Sequence, residues 1–148
     1  MELYNLTKTN AFTRLFFNAP QGGSLVNDER HVAKVVVRKS GIHGDGLFAA
    51  EEIPWGTKII EYKGERIADG IALARIAAGA DSIFELGRNA SIDGSSGGNE
   101  ARYANHRRRN PNAFILRDKG RIWLVAGIEG IAKGEEITFD YGSTFYPR

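Results

Sequence analysis

The chain has no cysteine. Disulfides are therefore excluded, and so is any zinc or iron–sulfur site held by thiolates. Its three histidines, His31, His43 and His106, show no metal-ligand spacing, so no metal site is expected. Long apolar runs are missing as well: no stretch approaches the roughly 20 residues that a membrane-spanning helix needs. The first residues, "MELYNLTKTNAFTRLFFNAP", lack a basic start followed by an apolar core, and Arg14 interrupts the cluster Leu15-Phe16-Phe17, so no secretory signal is expected. The compartment itself stays open between the cytoplasm and the nucleus, a host nucleus for a secreted effector. A large excess of charge of one sign is also missing, and a net charge of +2 does not by itself imply a polyanionic partner.

What is present suits one soluble domain. The 148 residues can bury roughly two thirds of their unfolded surface. A hydrophobic content of 42% and a charged content of 26% are ordinary for a globular protein. Residues 1–30 contain the turn-rich "NAPQGGSLVNDER" and read as an arm or linker. Residues 31–148 read as the domain proper. "HVAKVVVRK", "TKIIEY", "SIFEL", "NASID" and "EEITFDY" have the β-branched, aromatic character of short strands. "NAFILRDKGRIWLVAG" reads as a hairpin that turns at Asp118-Lys119-Gly120, with Gly120 free to take a positive φ. One helix is expected over Ala68–Ala78, capped by Asp69 and ended by Gly79, with Ile67, Ile71 and Ala74 or Arg75 on its packing face. The fold class is therefore mainly β with short helices, an α+β domain.

"GDGLFA", residues 44–49, matches the dinucleotide-binding pattern G-x-G-x-x-A. That pattern needs a helix opening at the loop so that its N-terminus faces a pyrophosphate. Pro54 and Gly56 follow too closely for such a helix, and a nicotinamide or flavin enzyme is rejected. Two readings remain for Gly41, Gly44 and Gly46: glycines that shape a turn, or glycines that let the backbone approach a ligand.

Four segments occur in a telling order: "GIHGDGLFA" (41–49), "EYKGERI" (61–67), "GNEARYANH" with "NPNA" (98–113), and "GEEITFDYG" (134–142). In this order and spacing the chain resembles the SET domain of protein lysine methyltransferases. The resemblance covers residues 32–145. It implies small twisted sheets of the β-clip type, with the C-terminal strand threaded into a pseudoknot, an exception to unknotted topology. It implies S-adenosylmethionine as methyl donor and a lysine of a protein, histone-like or otherwise, as acceptor. On this resemblance His43, Gly44, Asp45 and Gly46 present backbone to the cofactor. Asn105 and His106 meet its adenine and amino end, and Arg102 and Tyr103 support that turn. Tyr141 stands at the methyl-transfer point. Phe139 occupies the position where family members carry Phe or Tyr and so set the number of methyl groups added. Tyr62 and Phe84 wall the lysine channel.

The chain departs from the family's pattern in places. Asn-His-Arg replaces the usual Asn-His-Ser, the loop from Asn105 to Pro111 is one residue longer, and the cysteine-rich segment that often follows the domain is absent. A cofactor cover is then expected from Phe145 and Tyr146 of the tail, or from a second subunit in a homodimer that uses Leu15-Phe16-Phe17.

The chemistry explains the residue types. Methyl transfer to an amine needs the neutral amine, and free lysine near neutral pH is almost wholly protonated. An apolar channel beside a sulfonium disfavours the ammonium by desolvation and by like charge, so no dedicated base is required. What remains is alignment, which aromatic walls and a tyrosine hydroxyl supply. Aromatics at alternating strand positions also read as plain core, and both readings stand for Phe139 and Tyr141. His106 reads as structural and Asp140 as a hydrogen-bond anchor. Seven basic residues lie between Arg102 and Arg121, with Glu100 and Asp118 as the neighbouring acids. Arg107, Arg108 and Arg109 read as a solvated loop or as a contact for nucleic acid, and a silent binding module built on that loop is the competing function.

Overall fold

The structure is a computed structural model that describes residues 32–142. Residues 1–31 and 143–148 lie outside it, so the readings of the N-terminal arm, the Leu15-Phe16-Phe17 cluster, Phe145 and Tyr146 do too. Strand β1 (Val35–Lys39) pairs antiparallel with β2 (Asp45–Ala49), Val35 opposite Ala49 and Lys39 opposite Asp45. Regular pairing thus begins four residues after the expected start at His31. The turn between them is closed by Ser40, whose N–H reaches the Gly44 carbonyl at 2.9 Å and whose hydroxyl oxygen accepts the Ile42 N–H at 2.9 Å. Gly44 sits there at a φ of +49°, a conformation that suits glycine. The residues after Gly44 form a strand, not a helix, in keeping with the rejection of a dinucleotide-binding unit.

A five-stranded sheet runs in the order β3 (Lys58–Glu61), β9 (Arg121–Ala126), β8 (Ala113–Asp118), β10 (Thr138–Phe139), β7 (Asn105–His106). Strands β8 and β9 form the expected hairpin, with Asp118 opposite Arg121. Lys119 and Gly120 both take positive φ, 48° and 71°, as a two-residue primed turn requires. Strand β10 is parallel to both β7 and β8 and lies between them. Because β7 and β8 are consecutive in sequence, the loop 107–112 arches past the inserted β10. This is the threaded arrangement expected of the C-terminal segment.

The stretch "EEITFDY" is not one strand. The Glu135 carbonyl accepts the Ala49 N–H at 2.9 Å, and the Ile137 N–H reaches the Leu47 carbonyl at 2.7 Å. Thr138 and Phe139 then join the larger sheet. The segment changes sheets at Ile137, and its regular pairing is short for that reason.

The third sheet has the order β4 (Glu65–Ile67), β6 (Ala90–Asp93), β5 (Ile83–Gly87), so β5 is an edge. Helix α1 spans Asp69–Ala77. Ala68 is its N-cap and supplies no side-chain bond, which corrects the expected Asp69 cap. Asp69 instead lies in the first turn, where its charge complements the helix dipole. Gly79 follows the helix end at a φ of +109°. The packing face differs from the expected one. Ala72 and Ile76 pack with Ile67 and Ile83, whereas Ile71 is 50% exposed. The sheet touches the helix along a narrow stripe one residue removed from the stripe that the sequence pattern favours. No helix among the described residues is long and apolar enough to cross a membrane. The main core joins all three sheets through Leu47, Ile59, Tyr62, Phe84, Ile122, Leu124, Ile137 and Phe139.

Candidate active site

Four aromatic side chains meet where the sheets converge. Tyr62 directly follows β3, Phe84 lies on β5, Phe139 on β10, and Tyr141 two residues beyond Phe139. The Tyr62 ring packs edge-on against Phe84 at a centroid distance of 4.7 Å. Phe84 lies 5.7 Å from Phe139 and 5.5 Å from Tyr141, and Phe139 lies 4.5 Å from Tyr141. Tyr62 and Phe139 are 1% exposed, while Tyr141 is half-buried and faces outward at one end of the cluster. The inner rings are core, and the outer ring is partly accessible.

The backbone around Tyr62 is held from both sides. Asn99 donates from Nδ2 to the Glu61 carbonyl at 2.8 Å and accepts the Lys63 N–H on Oδ1 at 3.3 Å. The Tyr62 N–H reaches the Ile122 carbonyl at 2.8 Å. Its hydroxyl donates to the Ser82 carbonyl at 2.8 Å, and Gly94 must be glycine because a Cβ there would collide with that hydroxyl. The Tyr141 hydroxyl donates to the Ala104 carbonyl, also at 2.8 Å. Burial, then the Asp81 carboxylate, pushes the Tyr141 hydroxyl up to about 12. Burial pushes Tyr62 higher still, helped by Tyr141, Asp93 and Asp81 and opposed by the bond to Ser82. Both hydroxyls stay protonated at neutral pH. They serve as oriented dipoles rather than as bases.

The glycine loop is tied to this cluster through Asn105. Its Nδ2 reaches the His43 carbonyl at 3.1 Å, the Asp45 carbonyl at 3.2 Å and Glu136 Oε1 at 2.8 Å. The same Glu136 oxygen accepts the Ser40 hydroxyl at 2.7 Å. A Cβ on Gly46 would collide with the Glu136 carboxylate, so the second glycine of the loop makes room for this tether. Around Gly44 the space is open, since a Cβ there would meet nothing within 4 Å. A carbonyl has two lone pairs, so His43 and Asp45 each retain acceptor capacity toward a ligand's amino group. An open backbone face with spare acceptors fits the amino acid end of S-adenosylmethionine.

Next to Asn105, His106 links the loop to the tyrosine. Its Nδ1 accepts the Tyr141 N–H at 3.2 Å, and its ring lies 5.0 Å from the Tyr141 ring. Asp140 anchors the following turn by accepting the Gly142 N–H at 2.9 Å. Arg102 lies over the Tyr103 ring at 4.8 Å and bonds its hydroxyl at 2.6 Å. Asn112 holds the threaded segment: its Oδ1 accepts the Thr138 N–H at 2.9 Å, and its Nδ2 donates to the Glu136 carbonyl at 2.8 Å. Arg107, Arg108 and Arg109 are all exposed, and among the described residues no carboxylate pairs with them.

Sequence reasoning missed Glu136, Asn99 and the carbonyls of Ser82 and Ala104. Glu136 is one of two adjacent glutamates in a Gly-Glu-Glu turn and reads as a surface acid. Carbonyl acceptors carry no side-chain signature at all.

Comparison with known proteins places the same segments in one family. Residues 44–142 match the SET domain, a span that runs from the first glycine of the loop to the glycine after Tyr141. The chain is 37% identical over 123 residues to histone-lysine N-methyltransferase ASHH3 of Arabidopsis thaliana, covering 76% of this chain and 33% of that protein. It is 36% identical over 116 residues to an H3 lysine-4 specific histone-lysine N-methyltransferase of Saccharomyces cerevisiae, covering 72% of this chain and 11% of that protein. Among solved structures, Chaetomium thermophilum Polycomb Repressive Complex 2, in an autoinhibited conformation bound to S-adenosylmethionine, superposes with a TM-score of 0.68. It shares 33% sequence identity over 79% of this chain and 16% of that one. The chain thus spans a third or less of each of these proteins. With the glycine loop, the Asn105–His106 link, the threaded β10 and the terminal Tyr141 all falling within the matched span, this chain belongs to the SET domain family.

Proposed function

We propose that the chain transfers a methyl group from S-adenosylmethionine to the side-chain amine of a lysine in a protein substrate. One observation carries this reading: Asn105 holds the open glycine loop while its neighbour His106 holds Tyr141. Cofactor loop and aromatic channel are thereby fixed to one two-residue strand. Bound there, S-adenosylmethionine supplies a methyl on a sulfonium, which departs as a thioether as the carbon–nitrogen bond forms. The chain's own contribution is placement. Tyr62, Phe84 and Phe139 wall a channel that favours the neutral amine, whose proton leaves to water before transfer. The Tyr141 hydroxyl, kept neutral by burial, offers its oxygen to the amine while it keeps its own proton, directed at the Ala104 carbonyl. Phe139 brings no hydroxyl to the channel and so favours repeated methylation.

The substrate class we infer is a histone-like protein, supported by the names of the relatives, and the corresponding location is chromatin in a nucleus. Arg107, Arg108 and Arg109 support a contact with nucleic acid beside that substrate. The same exposed arginines favour a second reading, a module that binds nucleic acid without turnover. Isothermal titration with S-adenosylmethionine separates the two. We expect saturable one-site binding that is weakened in Asn105→Ala, and an absence of binding heat would overturn the first reading.

A further inference from the structure

Asp81 lies in the connection between α1 and β5, exposed to solvent. Its carboxylate accepts the Ser82 hydroxyl at 3.1 Å. The Ser82 carbonyl in turn receives the Tyr62 hydroxyl and the Gly94 N–H, both at 2.8 Å. Two residues further on, Phe84 touches Tyr62, Phe139 and Tyr141. The exposed acid is therefore one residue away from the carbonyl that holds the Tyr62 hydroxyl.

Glu61, Glu65, Asp93 and Asp118 lie beside cations and Asp81 does not. Arg75 bridges Glu65 and the buried Asp93, each at 2.7 Å. Lys58 pairs with Asp118 at 3.0 Å, and Arg121 lies 3.9 Å from Glu61. Arg117 Nε bonds the main-chain carbonyl of Glu85, the next acid along β5, at 2.7 Å, and the Glu85 carboxylate takes no part in that contact. Among the described residues no cation pairs with Asp81. Its field nonetheless reaches both tyrosine hydroxyls, raising the pKa of Tyr141 after burial and that of Tyr62 as the smallest of its causes.

We propose that Asp81 is an electrostatic gatepost of the channel, capturing the cationic ammonium of an incoming lysine at the mouth before that lysine enters the apolar walls. The division of labour follows from physical chemistry. Lysine arrives protonated, and aromatic walls receive it better once neutral. An uncommitted carboxylate outside draws the cation in, and the rings inside favour proton loss. An exposed charge of this kind acts over about a Debye length, so its effect falls with salt.

This inference rests on the methyl-transfer reading, and its test separates the two. Asp81→Asn and Asp81→Glu are compared with the wild type for kcat and KM on a lysine-containing histone-tail peptide from low to high salt. Equilibrium binding of the same fluorescently labelled peptide is measured in parallel. Asp81→Asn should lower kcat/KM by about tenfold at low salt, mainly through KM, and flatten its salt dependence. S-adenosylmethionine affinity and melting temperature should not change, and Asp81→Glu should restore most of the loss. A wild-type salt slope and KM in Asp81→Asn overturn the gatepost while leaving methyl transfer intact. Peptide binding that depends on Asp81 without any transfer supports the gatepost and overturns the catalytic reading. Peptide binding and turnover both absent in the wild type overturn both.

Discussion

The Tyr141 hydroxyl donates a 2.8 Å hydrogen bond to the main-chain carbonyl of Ala104, one residue before the Asn105 that holds the glycine loop. The bond fixes the direction of the hydroxyl. Tyr141→Phe removes the oxygen and keeps the ring. Steady-state kinetics should show kcat reduced by on the order of a hundredfold, with cofactor affinity nearly unchanged, the pattern of a contact realised mainly in the transition state. Turnover near that of the wild type would remove Tyr141 from the transfer step.

Phe139 is 1% exposed and stands 4.5 Å from Tyr141 between ring centroids. A hydroxyl added there would bring a polar group to a wall that has none at this position. Mass spectrometry at long reaction times should find dimethyl- or trimethyl-lysine with the wild type and a shift toward monomethyl-lysine with Phe139→Tyr. A wild type that stops at one methyl would contradict the assignment.

Gly46 and Glu136 test the tether. Gly46→Ala drives a methyl into the Glu136 carboxylate and displaces the acceptor of Asn105. The loop loses a charge-assisted bond worth about 1.5–3 kcal/mol. Calorimetric titration should show S-adenosylmethionine affinity weakened by about tenfold or more, and Glu136→Ala should behave alike. Unchanged affinity in both variants would mean that the loop holds its shape without the tether.

Stability should fall in alkali. Burial raises Tyr62 and Tyr141 above the ordinary value of 10.0, Tyr141 to about 12. Between those values the folded chain keeps protons that the unfolded chain releases, so the free energy of unfolding falls as pH rises. The midpoint of urea unfolding should drop progressively from about pH 10 upward, and less steeply in Tyr141→Phe. A flat profile to pH 12 would contradict the assigned burial of both hydroxyls.

Local signals were legible and non-local ones were not. The β8–β9 hairpin could be read because Asp118-Lys119-Gly120 carries its own turn chemistry. The helix could be located by Gly79, but its packing face could not: the contact with Ile67 and Ile83 selects Ala72 over Ile71. The segment 135–141 reads as one strand because nothing in it signals that Ile137 pairs with β2 while Thr138 pairs with β7. Tyr141, Phe139 and Asn105 were reachable through the order of four motifs. Glu136 and Asn99 were not, since their roles exist only once distant backbone is brought to them. The tripled arginine draws attention in the sequence, yet the bonds that tie the loop, Tyr141 and the threaded segment are made by the Asn105-His106 pair before it and the Asn112 after it.

The central claim is that one strand, Asn105–His106, joins a cofactor loop to a lysine channel in a working methyltransferase. It is tested most directly by incubating the wild-type chain with methyl-labelled S-adenosylmethionine and a panel of histones, then mapping the label by mass spectrometry. The account predicts label on lysine side chains, abolished in Asn105→Ala and sharply reduced in Tyr141→Phe. Absence of label on every histone in the panel and in a whole-cell lysate, from a folded chain that binds the cofactor, would contradict it.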